Sequence, residues 1–400
     1  MLKRANELYD QLVAWRRDFH MHPELGFEED RTPKKIVEIL EPLGYRIQTG
    51  VGRTGVVADI GTGKPIVALR ADMDALPLEE ENDVPYASLV PGVMHACGHD
   101  AHLAIALGAA KLLSEEDLAG TVRFLFQPAE ENADDEGVGG AIRMIEDGAM
   151  NSVDGVFALH VEAAIPTGVV AIDDGPSTAG VDTFYATIIG QGGHGAEPDK
   201  VIDPIHIAGH VILAFHSIIS RRMYPFDPAV VSIGSIHGGS ATNVIPESVE
   251  ISGTIRYMNP DVQAQLHAEI ERALEVARAL GGDYELNIEI GYPPMYNNPL
   301  AVGLIREVAT EIVGPKRVKK PPRQMGAEDF GFFSNLAPGA MFQLGCKIKK
   351  DEREHHSPYF DIDEKCLPVG AATMAGVALR FLHDQFTHQK TVEEVQVPIQ

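Results

Sequence analysis

At 400 residues the chain is long for a single hydrophobic core, so we expect two domains. Its formal net charge of −25, without a basic stripe, argues against nucleic acid or a membrane surface as a partner. Three cysteines are too few for a disulfide scaffold, and the N-terminus has no apolar core of the signal-peptide type, so we expect a cytoplasmic protein.

Helix-like and strand-like segments alternate up to about residue 179. This order predicts an α/β fold: a mixed, mostly parallel sheet with helices on both faces. The predicted elements are helices 5–19 and 32–43, strand 65–69, helix 101–113, strand 121–126, and strand 154–159, which His160 terminates. The segment Gly61–Lys64 lacks the spacing of a phosphate loop, and we interpret it as a hairpin turn between strands.

From about residue 180 the order changes to β-α-β-β-α-β, which is typical of a ferredoxin-like α+β domain. The predicted elements are strand 181–189, helix 204–222, strands 230–236 and 248–257, helix 261–280 and strand 283–291. Residues 180–293 are therefore predicted to form a domain inserted into a first domain made of 1–179 and 294–400. Strand 340–344 and helix 369–384 complete the first domain, and 390–400 is a polar tail that we expect to fray.

Side chains that bind metal ions cluster beside these elements. Cys97 and His99 stand two residues apart where a loop enters a helix, a pairing that suits a borderline divalent ion such as zinc. The other candidates follow predicted strands: Asp72 and Asp74 after 65–69, Glu130 and Glu131 after 121–126, His160 after 154–159, and His356 after 340–344. In open α/β sheets, functional sites form where strands deliver their carboxyl ends.

The candidate ligands are Cys97, His99, Glu131, His160 and His356, more than one tetrahedral ion needs and suitable for two ions that share a bridge. On an extended segment neighbouring side chains point in opposite directions. If Glu131 binds metal, Glu130 can face the open coordination position as a general base. Each residue taken alone has an ordinary alternative, a solvated glutamate or a structural histidine, but their matching placement favours a shared site.

Longer motifs run in order through nearly the whole chain: Trp15–Gly26, Arg70–Pro77, His95–Asp100, Gly192–Ala196, Thr242–Pro246, Gly326–Phe330 and His356–Pro358. On these motifs the chain resembles the amidohydrolase branch of the dinuclear zinc-type metallopeptidases. That branch includes bacterial aminoacylases, hippurate hydrolases, N-acetyldiaminopimelate deacetylases and plant auxin-conjugate hydrolases.

The resemblance implies a role for each residue of the predicted site. It makes Cys97, His99, Glu131, His160 and His356 the ligands of two divalent ions, Glu130 the general acid/base, and Asp74 a carboxylate that orients a ligand. Cys97 takes the bridging place that an aspartate has in the wider family, and Asp72 stands where that family has a histidine. Zinc, manganese, cobalt and nickel therefore all remain open.

The resemblance also implies that the inserted domain is a lid and dimerisation domain, in a homodimer or homotetramer. His194 resembles the residue that reaches a neighbouring subunit's active site. Asn243 and Arg256 are candidates for gripping substrate, with polar residues at a strand edge as the alternative.

The expected function is a metal-dependent hydrolase that cleaves the amide of an N-acyl amino acid, with an acetyl or aromatic acyl group, to a carboxylic acid and a free amino acid. A dipeptidase or carboxypeptidase would need the same metal centre but a different pocket. A different enzyme class would use Cys97 as a nucleophile activated by His99, which leaves the other candidate ligands without a role. A catalytically silent metal-binding protein is disfavoured because Glu130 is present.

Overall fold

The computed structural model describes residues 1–349 and 353–383, so the predicted helix end at Asp384 and the tail 390–400 lie outside the described residues. The described chain divides into two compact units. The first comprises Met1–Gly175, Tyr296–Pro322 and the described residues from Phe332 onward, and the second comprises Pro176–Met295 and Arg323–Gly331. The predicted insertion covered 180–293 and did not include the segment Arg323–Gly331.

The described helices are α1 (Leu2–Glu7), α2 (Tyr9–Met21), α3 (Arg31–Leu40), α4 (His99–Leu113), α5 (Gly140–Glu146), α6 (Pro204–Arg221), α7 (Pro260–Ala279), α8 (Pro299–Val313), α9 (Phe330–Ser334) and α10 (Leu367–His383). Short 3-10 helices span Glu41–Leu43, Pro198–Lys200, Pro315–Arg317 and Glu364–Cys366. The described strands are β1 (Arg46–Val51), β2 (Gly55–Gly61), β3 (Ile66–Asp72), β4 (Thr121–Gln127), β5 (Gly155–Pro166), β6 (Val170–Ala171), β7 (Gly175–Thr178), β8 (Gly180–Ile189), β9 (Gly193–His194), β10 (Ala229–His237), β11 (Val244–Ile245), β12 (Ser248–Tyr257), β13 (Asp283–Ile290), β14 (Met295–Asn297), β15 (Val318–Lys319) and β16 (Gly339–Lys347).

The first unit is built on an eight-stranded sheet of order β1-β2-β4-β3-β5-β16-β6-β15. The strands β4, β3, β5 and β16 run parallel, whereas β1 and β2 form an antiparallel edge, which confirms the mixed, mostly parallel sheet. Almost every residue of β3 and β4 is buried. Continuous burial of this kind requires cover on both faces of a sheet, and the helices supply it.

The second unit contains an antiparallel sheet of order β10-β12-β8-β13. Burial alternates along β8, because one face of this sheet packs on α6 and α7 while the other does not. Asp203 and Asn259 cap these two helices, each accepting hydrogen bonds from backbone N–H groups of the first turn. The predicted β-α-β-β-α-β order of a ferredoxin-like domain is confirmed.

Three local predictions were wrong. The helix predicted at 5–19 is two helices, α1 and α2, separated at Leu8. Gly61–Lys64 is not a hairpin turn, because β2 and β3 do not pair with each other; both pair with β4, which lies between them. His160 does not terminate its strand, since β5 continues to Pro166 and stays paired with β16 as far as Lys347.

Helix α10 belongs to the core of the first unit. With the residues before it (Glu364–His383), it is long and apolar enough to cross a membrane by length and composition alone. However, 72% of the apolar window is buried within the protein. Residues such as Leu367 and Phe381 belong to the main hydrophobic cluster, so packing accounts for the composition of the helix.

Candidate metal centre

The sheet brings the predicted site residues to one edge. The neighbouring strands β3 and β4 are parallel, and their last residues, Asp72 and Gln127, lie opposite each other in register. Helix α4 starts at His99, directly after Gly98, whose φ of 98° is in the left-handed region. A Cβ added to Gly98 would lie 2.3 Å from Val161 Cγ2, so glycine lets this loop approach β5 closely.

The structure brings all five predicted ligands together. Their ligand atoms form overlapping groups whose members lie within 4.8 Å of one another: Cys97 with His99 and His160, Cys97 with Glu131 and His356, and His99 with Glu130 and Glu131. His356 Nε2 lies 3.0 Å from Glu131 Oε1, and Cys97 Sγ lies 3.5 Å from His160 Nε2. Cys97, His99 and Glu131 each belong to two of these groups, so the candidate ligands form one continuous cluster.

Two of the histidines are held in defined tautomers. His99 Nδ1 lies 2.9 Å from the carbonyl oxygen of Asp74, and His160 Nδ1 lies 2.6 Å from that of Val161. A carbonyl oxygen can only accept, so each Nδ1 carries a proton, and Nε2 is the ring atom that can offer a lone pair to a metal ion. His99 Nε2 is buried without a hydrogen-bond partner among the described residues. A buried lone pair with no donor fits a cation at this position.

Asp74 contacts two of the candidate ligands. Its Oδ2 accepts a hydrogen bond of 2.9 Å from the backbone N–H of Glu131, and its Oδ1 lies 3.3 Å from His99 Nδ1. The carboxylate is almost completely buried. Asp74 therefore fixes both the orientation of the His99 ring and the path of the chain at Glu131.

The two glutamates do not diverge as an extended segment would require. Residues 130 and 131 form a bend after β4, and Ala129 before them has a left-handed φ of 46°. As a result, the carboxylates of Glu130 and Glu131 both converge with His99 within 4.8 Å. The prediction that neighbouring side chains point in opposite directions was wrong here, because the segment leaves the sheet before it reaches them.

The electrostatics of this cluster favour a cation. Burial alone would lower the pKa of His99, but Asp72, Asp74 and Glu131 raise it to about 10. Burial raises the pKa of Cys97, and the negative charges of Glu131 and Glu130 add to that effect. A thiol, imidazoles and carboxylates together form the donor set of a borderline divalent ion. The positive charge of such an ion would lower the pKa values that burial and the carboxylates raise here. The residues present therefore fit a divalent metal.

His102 and Asp72 support the centre, a role that the sequence reasoning missed for His102. The His102 Nδ1–H donates to Asp72 Oδ1 at 2.6 Å, while Nε2 accepts from the backbone N–H of Val161 at 2.9 Å. Asp72 also forms an ion pair of 2.6 Å with buried Arg70. The available signal was the spacing of His102, three residues after His99 on one face of α4.

A buried arginine, also missed, ties together two ligand-bearing segments. Arg16 is completely buried and lies 2.7 Å from Asp100, 2.9 Å from Asp361 and 3.4 Å from Glu364. Asp100 directly follows His99, and Asp361 belongs to the segment after His356. The motif Trp15–Gly26 contained this arginine, but its partners are far away in sequence.

His194, Asn243 and Arg256 lie in the second unit. His194 is exposed on β9, opposite Val244 of β11, and its Nδ1 accepts from the N–H of Ala196. The carbonyl of Asn243 accepts a hydrogen bond of 2.8 Å from Gly195, so Asn243 and His194 lie on neighbouring segments. Arg256 is half-buried on β12, with its Nε 3.2 Å from Thr254 Oγ1.

A family model described as Peptidase family M20/M25/M40 matches residues 68–380, which is most of the chain. The chain belongs to this family. It is similar to IAA-amino acid hydrolase ILR1-like 4 of Arabidopsis thaliana, with 40% identity over 95% of this chain and 88% of the relative. It is also 40% identical to thermostable carboxypeptidase 2 of Saccharolobus solfataricus, over 94% of this chain and 97% of the relative.

A solved structure extends this M20 family assignment to the whole fold. The YXEP protein of Bacillus subtilis, described as a dinuclear metal binding peptidase, superposes with a TM-score of 0.84 and 34% identity. The match covers 95% of this chain and 99% of that one. This M20 family member is therefore a metal-dependent hydrolase of amide or peptide bonds, as the sequence predicted.

The structure also weakens the thiol-nucleophile alternative. The imidazole next to the Cys97 thiol is His160, at 3.5 Å, and the His99 Nδ1–H is committed to the Asp74 carbonyl. Burial and the neighbouring carboxylates raise the pKa of Cys97, whereas a free cysteine nucleophile needs a lowered pKa.

Proposed function

We propose that this hydrolase cleaves the amide of N-acyl amino acids, using two divalent ions held by Cys97, His99, Glu131, His160 and His356. The observation that carries the proposal is the convergence of these five side chains in overlapping groups of possible ligand atoms. Zinc, manganese, cobalt and nickel are all compatible with these donors. When bound, such ions polarise a carbonyl and lower the pKa of water.

Glu130 is the proposed general acid/base. Its carboxylate is buried and converges with His99 and Glu131, so it lies beside the ligand cluster. Glu130 would accept the proton of the attacking water and then donate it to the departing amine nitrogen. Asp74 would hold His99 and Glu131 in place during both steps, through the contacts described above.

The choice of an N-acyl amino acid as substrate rests on two observations. The motifs, with Cys97 in the shared position, match the amidohydrolase branch. A relative that is 40% identical is named an IAA-amino acid hydrolase. A carboxypeptidase is the second candidate, because a relative with the same identity carries that name. Both reactions hydrolyse an amide on the nitrogen of an amino acid, so the acyl side of the pocket decides between them.

A matched pair of substrates separates these two functions. N-acetyl-leucine and glycyl-leucine share the leaving amino acid and differ chiefly in the amino group on the acyl side. For the metal-reconstituted enzyme we expect a higher kcat/KM for the N-acetyl compound, and N-benzoyl-leucine tests an aromatic acyl group. A higher kcat/KM for glycyl-leucine would favour the peptidase.

We further propose that the second unit is a lid and dimerisation domain, and that the enzyme is a homodimer or homotetramer. His194 is exposed beside two glycines, which suits a side chain that reaches another subunit's site. Asn243 on the neighbouring segment and Arg256 on β12 are the proposed contacts to substrate.

A further inference from the structure

The first unit contains a second concave site, whose lining includes none of the proposed metal ligands. It is an open hollow of about 1020 Å³. Its walls include the turn Pro166–Gly168 after β5, the end of β16 and the 3-10 helix Glu364–Cys366. We call it the basic hollow after the cations that line it, which are Arg317, Lys347, Lys349 and Lys365.

Within the described part of the chain, the four cations have no carboxylate partner. None of them forms an ion pair with a carboxylate in residues 1–349 or 353–383. The chain has 58 acidic and 33 basic residues, so four cations around one hollow, against the two acidic residues Asp363 and Glu364, are unexpected by composition. A concave surface with an excess of one sign of charge concentrates ligands of the opposite sign.

The two acidic residues in the wall are already engaged. Glu364 lies 2.7 Å from Arg17 and 3.4 Å from Arg16. Asp363 accepts a hydrogen bond from the backbone N–H of Lys365 at 3.2 Å and another from the Thr167 hydroxyl at 3.1 Å. Neither carboxylate binds a lysine ammonium group of the hollow, so the cations remain available to an anion.

The hollow also offers a non-polar surface. Tyr9, Ile348 and Val369 line it together with the cations. Gly168, with a left-handed φ of 75°, lets the backbone turn lie against Arg317, because an added Cβ would sit 3.2 Å from Arg317 Nη1. An anionic head and a less polar body could therefore bind side by side.

We propose that the basic hollow binds a small organic phosphate. A phosphate monoester carries a charge of about −1.5 to −2 and three acceptor oxygens, which suits a hollow lined by several Lys and Arg donors. Its organic part would lie against Tyr9 and Ile348. A long polyanion is disfavoured, because the site is concave and the net charge of −25 repels an extended anionic surface.

Calorimetric titration of the metal-loaded, full-length enzyme with adenosine 5′-monophosphate tests this proposal. Adenosine is the control without phosphate. The variant Lys347→Gln/Lys365→Gln removes two cations of the hollow. The matched control Lys34→Gln/Lys64→Gln makes the same charge change at exposed lysines that pair with Asp30 and Asp154 elsewhere.

We expect saturable binding of the monophosphate, at least about tenfold weaker binding of adenosine, and at least about tenfold weaker monophosphate binding in the hollow variant only. No detectable binding, equal losses in both double variants, or equal affinity for adenosine would overturn the proposal. Binding that survives in the hollow variant but disappears on metal removal would also overturn it, because the phosphate would then occupy the metal centre.

Discussion

Replacing the buried arginine that joins the two ligand-bearing segments should destabilise the first unit strongly. Arg16→Met keeps most of the aliphatic volume but removes the charge that faces Asp100, Asp361 and Glu364. Asp100 keeps His20 as a partner, and Glu364 keeps Arg17. Asp361 keeps only neutral donors, the Tyr86 hydroxyl and the backbone N–H of Ile362, so one buried carboxylate is left without a cation.

Breaking a buried ion pair by removing one partner costs about 3–5 kcal/mol. For a domain of this size each kcal/mol corresponds to about 2–4 °C, so the melting temperature should fall by roughly 6–20 °C. Arg17→Met is the matched control, since Arg17 also packs on the Tyr86 ring but its side chain is 39% exposed and it bonds to Glu364 alone. Its loss should cost about 1 kcal/mol or less.

Thermal unfolding of the metal-free protein, followed by circular dichroism, measures both effects. Adding Asp361→Asn to Arg16→Met should restore part of the lost stability, because it removes the unpaired charge. Equal losses for Arg16→Met and Arg17→Met, or no recovery in the double variant, would refute the view that Arg16 balances buried carboxylates.

Three further predictions concern the site and its pH response. Glu130→Gln should retain metal, measured by elemental analysis, while turnover falls roughly 10²–10⁴-fold. Glu131→Gln should lose metal as well as turnover. If the two variants show each other's behaviour, the roles of Glu130 and Glu131 are reversed. Burial raises the pKa of Glu29 from 4.5 to about 7, so the folded state binds the extra proton and loses stability as pH rises across that interval. The free energy of unfolding in urea, measured on the metal-free protein, should therefore depend less on pH in Glu29→Gln than in the unmodified protein. An equal pH dependence in both would contradict a raised pKa of Glu29. Mixing inactive Glu130→Gln and His194→Ala subunits should restore some activity if His194 serves a neighbouring subunit; verified subunit exchange without recovery would contradict that role.

Local chemistry made much of the candidate site predictable. Cys97 and His99 could be placed at a helix entry because apolar spacing marks α4, and strand ends in a parallel sheet meet at one edge. The predicted strand before His160 ended too early, because this polar residue was interpreted as the end of the strand. In fact His160 and Glu162 are less buried than Val161 and Ala163 between and after them, an alternation that continues along β5.

Contacts between distant segments could not be predicted. The partners of Arg16 lie 84 to 348 residues away in the chain, and no local periodicity encodes such pairings. The bend at Glu130 depends on the left-handed conformation of Ala129, which an alanine rarely adopts, so the sequence carried no signal for it. The position of β4 between β2 and β3 likewise depends on which strands pair with each other. The composition of the strands does not encode that choice of partner.

Activity should require metal bound by the cluster of Cys97, His99, Glu131, His160 and His356. The most direct measurement removes metal with a chelator, confirms its absence by elemental analysis, and then follows hydrolysis of N-acetyl-leucine as zinc, manganese, cobalt or nickel is titrated back. We expect no activity without metal and full recovery at two ions per subunit, with no such recovery in Glu131→Gln. Full activity in the confirmed metal-free protein would contradict it.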